Sequence, residues 1–115
     1  MTRVMLIYKI LRADEFRAFE AAGVTDGAPV DVSDGYIHLS DAAQVAGTAA
    51  KHFAGADGLM LLALEADGLD ALRWEVSRGG AKFPHLYRPL RHADVLWSRP
   101  LPLSPDGRHD FTGLL

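Results

Sequence analysis

The run Gly58-Leu-Met-Leu-Leu-Ala-Leu-Glu65 limits the fold more than any other stretch of this chain. It is apolar without alternation from Leu59 to Leu64, which suits a central strand buried on both faces better than a half-exposed edge strand. A strand of that kind needs cover on both sides, and the helix-like and strand-like segments around it are the material for that cover. At 115 residues the chain holds one hydrophobic core and is too short for two. With no internal repeat and no linker, it is expected to be a single α+β domain over residues 1–103, followed by a C-terminal tail over 104–115.

The flanking segments carry their own patterns. Val4-Met-Leu-Ile-Tyr-Lys-Ile10 is a short β-prone run that stops where charge begins, and reads as the first strand. Asp14 and Glu15 suit a helix N-terminus, Phe16 and Phe19 share a face, and Gly23 can close the helix. Residues 24–34 have no apolar period and read as a loop. Ser40 is placed as the N-cap of a helix through Phe53, with Ala42, Val45, Ala46, Ala49 and Phe53 as its apolar stripe. Two main helices are therefore expected.

Further along, Leu72-Arg-Trp-Glu-Val-Ser77 alternates, sending Leu72, Trp74 and Val76 to the core and Arg73, Glu75 and Ser77 to the opposite side. Residues 78–82 read as a flexible basic loop, and Phe83-Pro-His-Leu-Tyr87 as a rigidified extended turn. Ala93-Asp-Val-Leu-Trp-Ser98 supplies the last strand. Pro100, Pro102 and Pro105 then preclude a regular helix.

Composition removes several classes of function. The absence of cysteine excludes disulfides, thiolate metal sites and a cysteine nucleophile. A net charge of −3 gives no broad basic field, so duplex nucleic acid is not an expected partner. The apolar runs are too short for a signal-peptide core or for the roughly 20 residues that span a bilayer. A cytoplasmic location is the resulting expectation, and oligomeric state is not legible.

The polar residues that interrupt the apolar pattern carry the functional signal. In Tyr36-Ile-His-Leu-Ser40 a period of two puts Tyr36, His38 and Ser40 on one face, opposite Ile37 and Leu39. Three polar groups on one strand face must reach water or find partners. A buried histidine satisfied by a carbonyl is the plain alternative for His38. Glu75 has a plain reading as one half of a solvated Arg73–Glu75 pair, and a functional one as a base or as an acceptor for a ribose hydroxyl. His85 lies within an apolar, proline-stiffened segment where packing alone explains Phe83 and Leu86 better than it explains the imidazole. Gly79-Gly80 between Arg78 and Lys82 offers backbone N–H groups and positive charge to an anion, without matching a phosphate-loop pattern. A metal-dependent enzyme would recruit His38, His52 and His85, but no close histidine pairing supports it and no metal is expected. His92 and His109 read as surface residues. A Ser77-His85-Glu75 triad lacks the G-x-S-x-G elbow.

Taken together, Ile7-Tyr-Lys-Ile10, Asp34-Gly-Tyr-Ile-His-Leu-Ser40, Thr48-Ala, Phe53, Trp74-Glu75 and Phe83-Pro-His-Leu-Tyr87 resemble the bacterial and plant family catalogued as domain of unknown function 952. More distantly, the order of elements is similar to the catalytic lobe of tRNA 2′-phosphotransferases, in the ADP-ribosyltransferase superfamily. Leu6-Ile-Tyr-Lys-Ile10, Tyr36-Ile-His-Leu-Ser40 and Leu59-Met-Leu-Leu-Ala-Leu-Glu65 stand at that lobe's L-Y-H-G-T, H-V-H-L-S and V-V-L-E-I-D segments. The resemblance implies a bent, split antiparallel or mixed sheet with a cleft that binds NAD or another nucleotide-like anion. It would be lined by Tyr8, Lys9, Tyr36, His38, Ser40, Glu75, Ser77 and His85. In this scheme His38 and Tyr36 position ribose and nicotinamide, Glu75 bonds a ribose hydroxyl, His85 is the proton-transfer candidate, and Lys9 or Arg78 neutralises pyrophosphate. Lys9 and Ile10 replace the superfamily's histidine and glycine, and the isoleucine blocks the close backbone approach that glycine allows. The RNA-recognising lobe is absent. The rival class is a non-catalytic module that keeps the fold and recognises a small anion or a protein.

Overall fold

The computed structural model describes residues 4–115, except for the side chain of Arg78. The apolar run forms the centre, as expected. Strand β5 (Leu59–Glu65) lies between β1 (Leu6–Leu11) and β9 (Val95–Leu101), and β4 (Ser40–Asp41) extends the sheet beyond β1. Every ladder in it is antiparallel. Leu61, Leu62, Ala63 and Leu64 are all fully buried, so both faces of β5 are covered. Each leucine so placed contributes about 1.5–3 kcal/mol of burial.

The two faces of this sheet pack against different partners. Ile7, Leu11, Leu62 and Leu64 point into one cluster, completed by Ile37 and Leu86 of a second sheet, by Leu39 next to it and by Phe19 of helix α1 (Ala13–Ala22). Tyr8, Ile10, Leu61 and Ala63 point the other way, to Val45 and Ala49 of α3 (Val45–His52). The second sheet runs β3 (Ile37–His38), β7 (Lys82–Leu86), β6 (Leu72–Val76), again antiparallel. A ribbon of β2 (Val24–Thr25) and β8 (Leu90–Arg91) completes the strands of the described residues.

Helix α1 begins where the Arg12 N–H donates to Glu15 Oε1 at 2.8 Å, and it ends on Gly23 in the left-handed region. The expected loop over 24–34 contains β2 and a third helix, α2 (Pro29–Asp34). Pro29 occupies the first turn, the Asp31 carboxylate accepts from the Ala28 N–H at 2.8 Å, and Gly35 closes the helix at φ +85. Six residues are too few for an apolar period, and Val30 and Val32 face solvent.

Helix α3 starts later than expected. Asp41 and Gln44 bond each other's backbone N–H at 3.1 and 2.9 Å in the turn that precedes it, and the helix opens after Gln44 rather than after Ser40. Ala42 and Ala46 consequently face outward, leaving Val45 and Ala49 as the buried stripe. Phe83-Pro-His-Leu-Tyr87, expected as a turn, is mostly strand β7, in the middle of the second sheet. Pro84 has no N–H to donate, and its carbonyl accepts from the Leu39 N–H at 3.0 Å. Val76 is exposed rather than in the core, since β6 is an edge and its end overhangs. The last strand runs past Ser98 to Leu101 through Pro100, which an edge strand allows. Residues 104–115 fold back: Phe111 and Leu114 pack on the second cluster, and His109 Nε2 meets the Ala56 carbonyl at 2.8 Å. No helix among the described residues is long and apolar enough to cross a membrane.

Candidate functional site

Leu39 is where the chain passes from one sheet to the other, and that crossing decides which residues of Tyr36-Ile-His-Leu-Ser40 share a site. Up to His38 the strand pairs with β7, His38 standing opposite His85. From Ser40 it pairs with β1, Ser40 standing opposite Tyr8. The Ser40 hydroxyl is buried and bonded to the Thr48 hydroxyl of α3 at 2.8 Å. Tyr8 is buried beside Trp97 in the second cluster, where burial raises the pKa of its phenol. The expected cleft therefore loses Tyr8 and Ser40, which belong to the opposite layer.

What remains converges on the outer face of the second sheet. Because alternate residues share a face, Tyr36, His38, Arg73, Glu75, His85 and Tyr87 all stand on the side away from the core. Tyr36 is at the middle, its ring centroid 4.2 Å from His85, 4.6 Å from His38 and 5.2 Å from Tyr87. The two imidazoles are 5.5 Å apart. Arg73 lies over the Tyr87 ring at 5.1 Å. Tyr87 follows His85 at the strand period, and that spacing could have revealed it.

Glu75 is the carboxylate of this face. Its Oε1 accepts from the Tyr87 hydroxyl at 2.5 Å and faces His85 Nδ1 at 2.9 Å. A carboxylate only accepts, so Nδ1 of His85 carries the proton in this pair. Hydrogen bonds from Tyr87 and then His85 hold the Glu75 carboxyl below its ordinary range, and the bond to Glu75 raises the Tyr87 phenol. The Tyr36 phenol is raised by desolvation and then by the nearby charges of Asp34, Glu75 and Asp31. The Glu75 side chain is 37% exposed whereas that of His85 is 4% exposed, so Glu75 meets solvent and His85 supports it from below.

His38 is built the opposite way. Its ring is 34% exposed, and Nδ1 lies 2.6 Å from Oδ1 of Asp31, whose side chain is fully buried. On the other side Nε2 is 3.0 Å from Asp34 Oδ2 at the end of α2. Asp31 is also bonded by Lys9 Nζ at 2.7 Å, and Lys9 in turn reaches the His38 carbonyl at 3.1 Å. Burial pushes the Asp31 carboxyl up, but the His38 hydrogen bond and the Lys9 charge outweigh it and bring its pKa down to about 2. Lys9 thus stands behind the site in an ion pair and is not a free cation at its surface. Gly27, at φ +96, lets the backbone pass so close to Asp31 that any Cβ there would overlap the carboxylate. Neither Asp31 nor Asp34 is among the candidate site residues that the sequence offers. Pro29 followed two residues later by Asp31 is the signal that could have marked a capped helix.

Among the other expected residues, Ser77 is exposed at the hairpin turn, where its N–H closes on the Ala81 carbonyl. The side chain of Arg78 lies outside the described residues. His52 is exposed at the end of α3, on the far layer, so it does not join His38 and His85. No cluster of three or more His, Asp or Glu among the described residues offers a metal ligand set. His92 is a surface residue paired with Glu20 at 2.6 Å.

Two hollows border these elements. One of about 240 Å³ runs between α2 and the start of β8, with Asp26, Val32, Tyr36, Tyr87 and Pro89 in its walls. It reaches the site at Tyr36 and Tyr87, beside the imidazoles rather than over them. A larger, more open one of about 460 Å³ surrounds Val4, Met5, Tyr8 and Asp41 on the other layer. None of the residues on the outer face of the second sheet lines it, whereas Tyr36 and Tyr87 line the smaller hollow, which therefore adjoins the chemistry.

Comparison with known proteins agrees with this architecture. Residues 10–98 match the model of a family described as a protein of unknown function, DUF952. The crystal structure of protein CC0527 from Caulobacter crescentus is 50% identical, with a TM-score of 0.89 over 93% of this chain and 95% of that one. Its solution NMR structure gives 50% identity and a TM-score of 0.86 over 96% of each chain. No curated protein matches the chain. With the family model spanning residues 10–98 and half of the sequence shared with a protein of the same fold, the chain belongs to the DUF952 family.

Proposed function

We propose that the outer face of the second sheet is a nucleotide-binding site, and that the protein is an ADP-ribosyltransferase-like domain that binds NAD and transfers or cleaves its ADP-ribose. One observation carries the reading: Glu75 is held by His85 and Tyr87 through a single oxygen, Oε1, and the Tyr87 ring that holds it lies 5.2 Å from that of Tyr36. Its Oε2 is then available to a ribose hydroxyl. An ionised carboxylate in that position stabilises positive charge that develops on a sugar.

The donor set fits such a ligand in part. Tyr36, Tyr87 and the His38 imidazole offer flat faces to a base or a nicotinamide ring, and His38 Nε2 is the polar group beside them. Arg73, over Tyr87, is the rim cation for a phosphate, a task that Lys9 cannot perform while paired with Asp31. Bound NAD would supply an N-glycosidic bond whose cleavage leaves positive charge on the ribose. Glu75 would face that charge, His85 would keep Glu75 oriented, and His38 would hold or pass a proton at Nε2.

A second reading has its own support. Lys9 is sealed by Asp31 and Ile10 is buried in the second cluster, so the positions matching the superfamily's histidine and glycine are filled by structural residues. That favours a non-catalytic module for a small anion or a protein. Calorimetric titration with NAD to ~millimolar concentration tests the first reading, since absence of binding at that level means an affinity weaker than about −4 kcal/mol and overturns it. If NAD binds, loss of binding in His38→Ala with no nicotinamide released by the wild type selects the module.

A further inference from the structure

The two imidazoles of the site are paired with carboxylates in opposite senses. Buried His85 lies beneath exposed Glu75, while buried Asp31 lies beneath exposed His38. In each pair the buried member cannot meet a ligand and the exposed one can. The groups presented to solvent are therefore the Glu75 carboxylate and the His38 ring.

We infer that Asp31 is a positioning residue for this site: it holds His38 as the Nδ1–H tautomer and so presents Nε2 to the ligand, with Lys9 as the counterion that lets a carboxylate sit there. The inference rests on reading the outer face as a ligand site. Both Asp31 oxygens are saturated. Oδ1 takes the His38 N–H at 3.1 Å and Nδ1 at 2.6 Å, and Oδ2 takes Lys9 Nζ at 2.7 Å and the Ala28 N–H at 2.8 Å. Bonds to both the backbone and the ring of His38 leave the imidazole little freedom to rotate, and an acceptor-only partner dictates which nitrogen bears hydrogen.

A simple fold staple does not need the ring bond. Lys9, the Ala28 N–H and the His38 N–H already join α2 to β1 and β3 through Asp31. The ring is one-third exposed, and solvent could serve its Nδ1 if tethering were the whole purpose. Burying the Lys9–Asp31 pair carries a desolvation cost that an apolar pair of similar size would avoid. Fixing the imidazole is what the charged version adds. Asp34, acceptor-only as well, faces Nε2 at 3.0 Å and draws hydrogen to that nitrogen, but it does so from an exposed position at the end of α2, where water or a ligand can replace it. Asp31 is not displaceable.

Long-range ¹H–¹⁵N correlation on histidine-labelled, ligand-free protein reads the tautomer directly, at a pH about two units above the ordinary histidine value of ~6.5. The wild type is expected to show His38 protonated at Nδ1. Folded Asp31→Asn is expected to lose that preference and to bind NAD about tenfold more weakly. An Nε2–H tautomer in the wild type overturns the inference. So does retention of Nδ1–H in the variant, or a tautomer change with unaltered NAD affinity. Should Asp31→Asn alone fail to fold, the pair Lys9→Met with Asp31→Asn, which removes both charges, takes its place. If the wild type binds no NAD, the nucleotide reading fails and the tautomer measurements alone decide the role of Asp31.

Discussion

Lys9 and Asp31 lie 22 residues apart and meet at 2.7 Å, with side chains 8% and 0% exposed. This pair ties the first sheet to α2 directly beneath His38. Removing one partner strands the other. Lys9→Met is expected to destabilise the protein by about 3–5 kcal/mol, whereas Lys9→Met combined with Asp31→Asn costs less than the two single changes summed. Urea denaturation of the four proteins in the cycle checks this.

The same carboxylate makes stability depend on pH. Asp31 has a folded pKa of about 2 against an ordinary 3.8, so its contribution is fully present above the unfolded value and is lost as pH falls through the folded one. The amount at stake is about 2 kcal/mol. Glu75 is shifted in the same direction by its bonds to Tyr87 and His85, and adds in the same sense. Denaturant midpoints measured from neutral pH down to about pH 2 should fall steadily below about pH 4, with a shallower fall in Asp31→Asn.

Gly27 and Gly107 both have positive φ, +96 and +85, but only Gly27 has neighbours in the way of a Cβ. Gly107→Ala should cost the backbone strain alone, about 1–2 kcal/mol. Gly27→Ala should cost more, because its methyl group must displace the Asp31 carboxylate and with it the Lys9 and His38 bonds. Comparing the two melting transitions decides the matter, and equal costs would show that the packing of Gly27 on Asp31 is slack.

Tyr87→Phe removes the phenol that donates to Glu75 and leaves the ring beside Tyr36. The Glu75 pKa is expected to move up toward its ordinary value, since the Tyr87 bond is the largest cause of its depression. Because Tyr87 is exposed, stability should change by no more than about 0.5 kcal/mol. A ¹³C-detected titration of the side-chain carboxyls gives the answer, and an unmoved Glu75 would contradict the proposed support.

Leu62→Ala should cost about 2–5 kcal/mol, because Leu62 is fully buried at the centre of β5. Val76→Ala should stay within about 0.5 kcal/mol, for Val76 is 65% exposed although its strand alternates as if it faced the core. Chemical denaturation of both variants distinguishes a central position from an overhanging edge.

Local patterns were enough for the parts of the fold that local physics controls. The unbroken apolar run at 59–64 identified β5 as a doubly buried strand, and Phe16, Phe19 and Gly23 outlined α1, because burial and backbone conformation act on neighbouring residues. The same alternation paired Ile37 with Leu39 in the core and Tyr36 with His38 outside it. Helix α2 escaped because six residues show no period and its two valines are exposed. Its main signal was a proline followed by a capping aspartate, within a stretch otherwise typical of a loop.

The site divides along the same line. Tyr36, His38 and Glu75 were legible as polar residues at strand periods, and His85 as an imidazole that packing alone does not explain, and the structure brings them onto one face. Ser40 belongs to that face by the same rule and Tyr8 to the cleft by resemblance, but both lie on the other layer, because the chain changes sheets at Leu39 and a crossing leaves no mark on a period of two. Asp31 and Lys9 joined the site only through a contact between distant segments. Sequence by itself determined which residues alternate, which run is buried and which polar groups need partners, since these follow from hydrophobicity and backbone geometry within a few residues. Only the tertiary structure decided which carboxylate stands behind each imidazole and which member of each pair meets solvent, because that depends on the packing of α2 and three strands that the chain visits far apart.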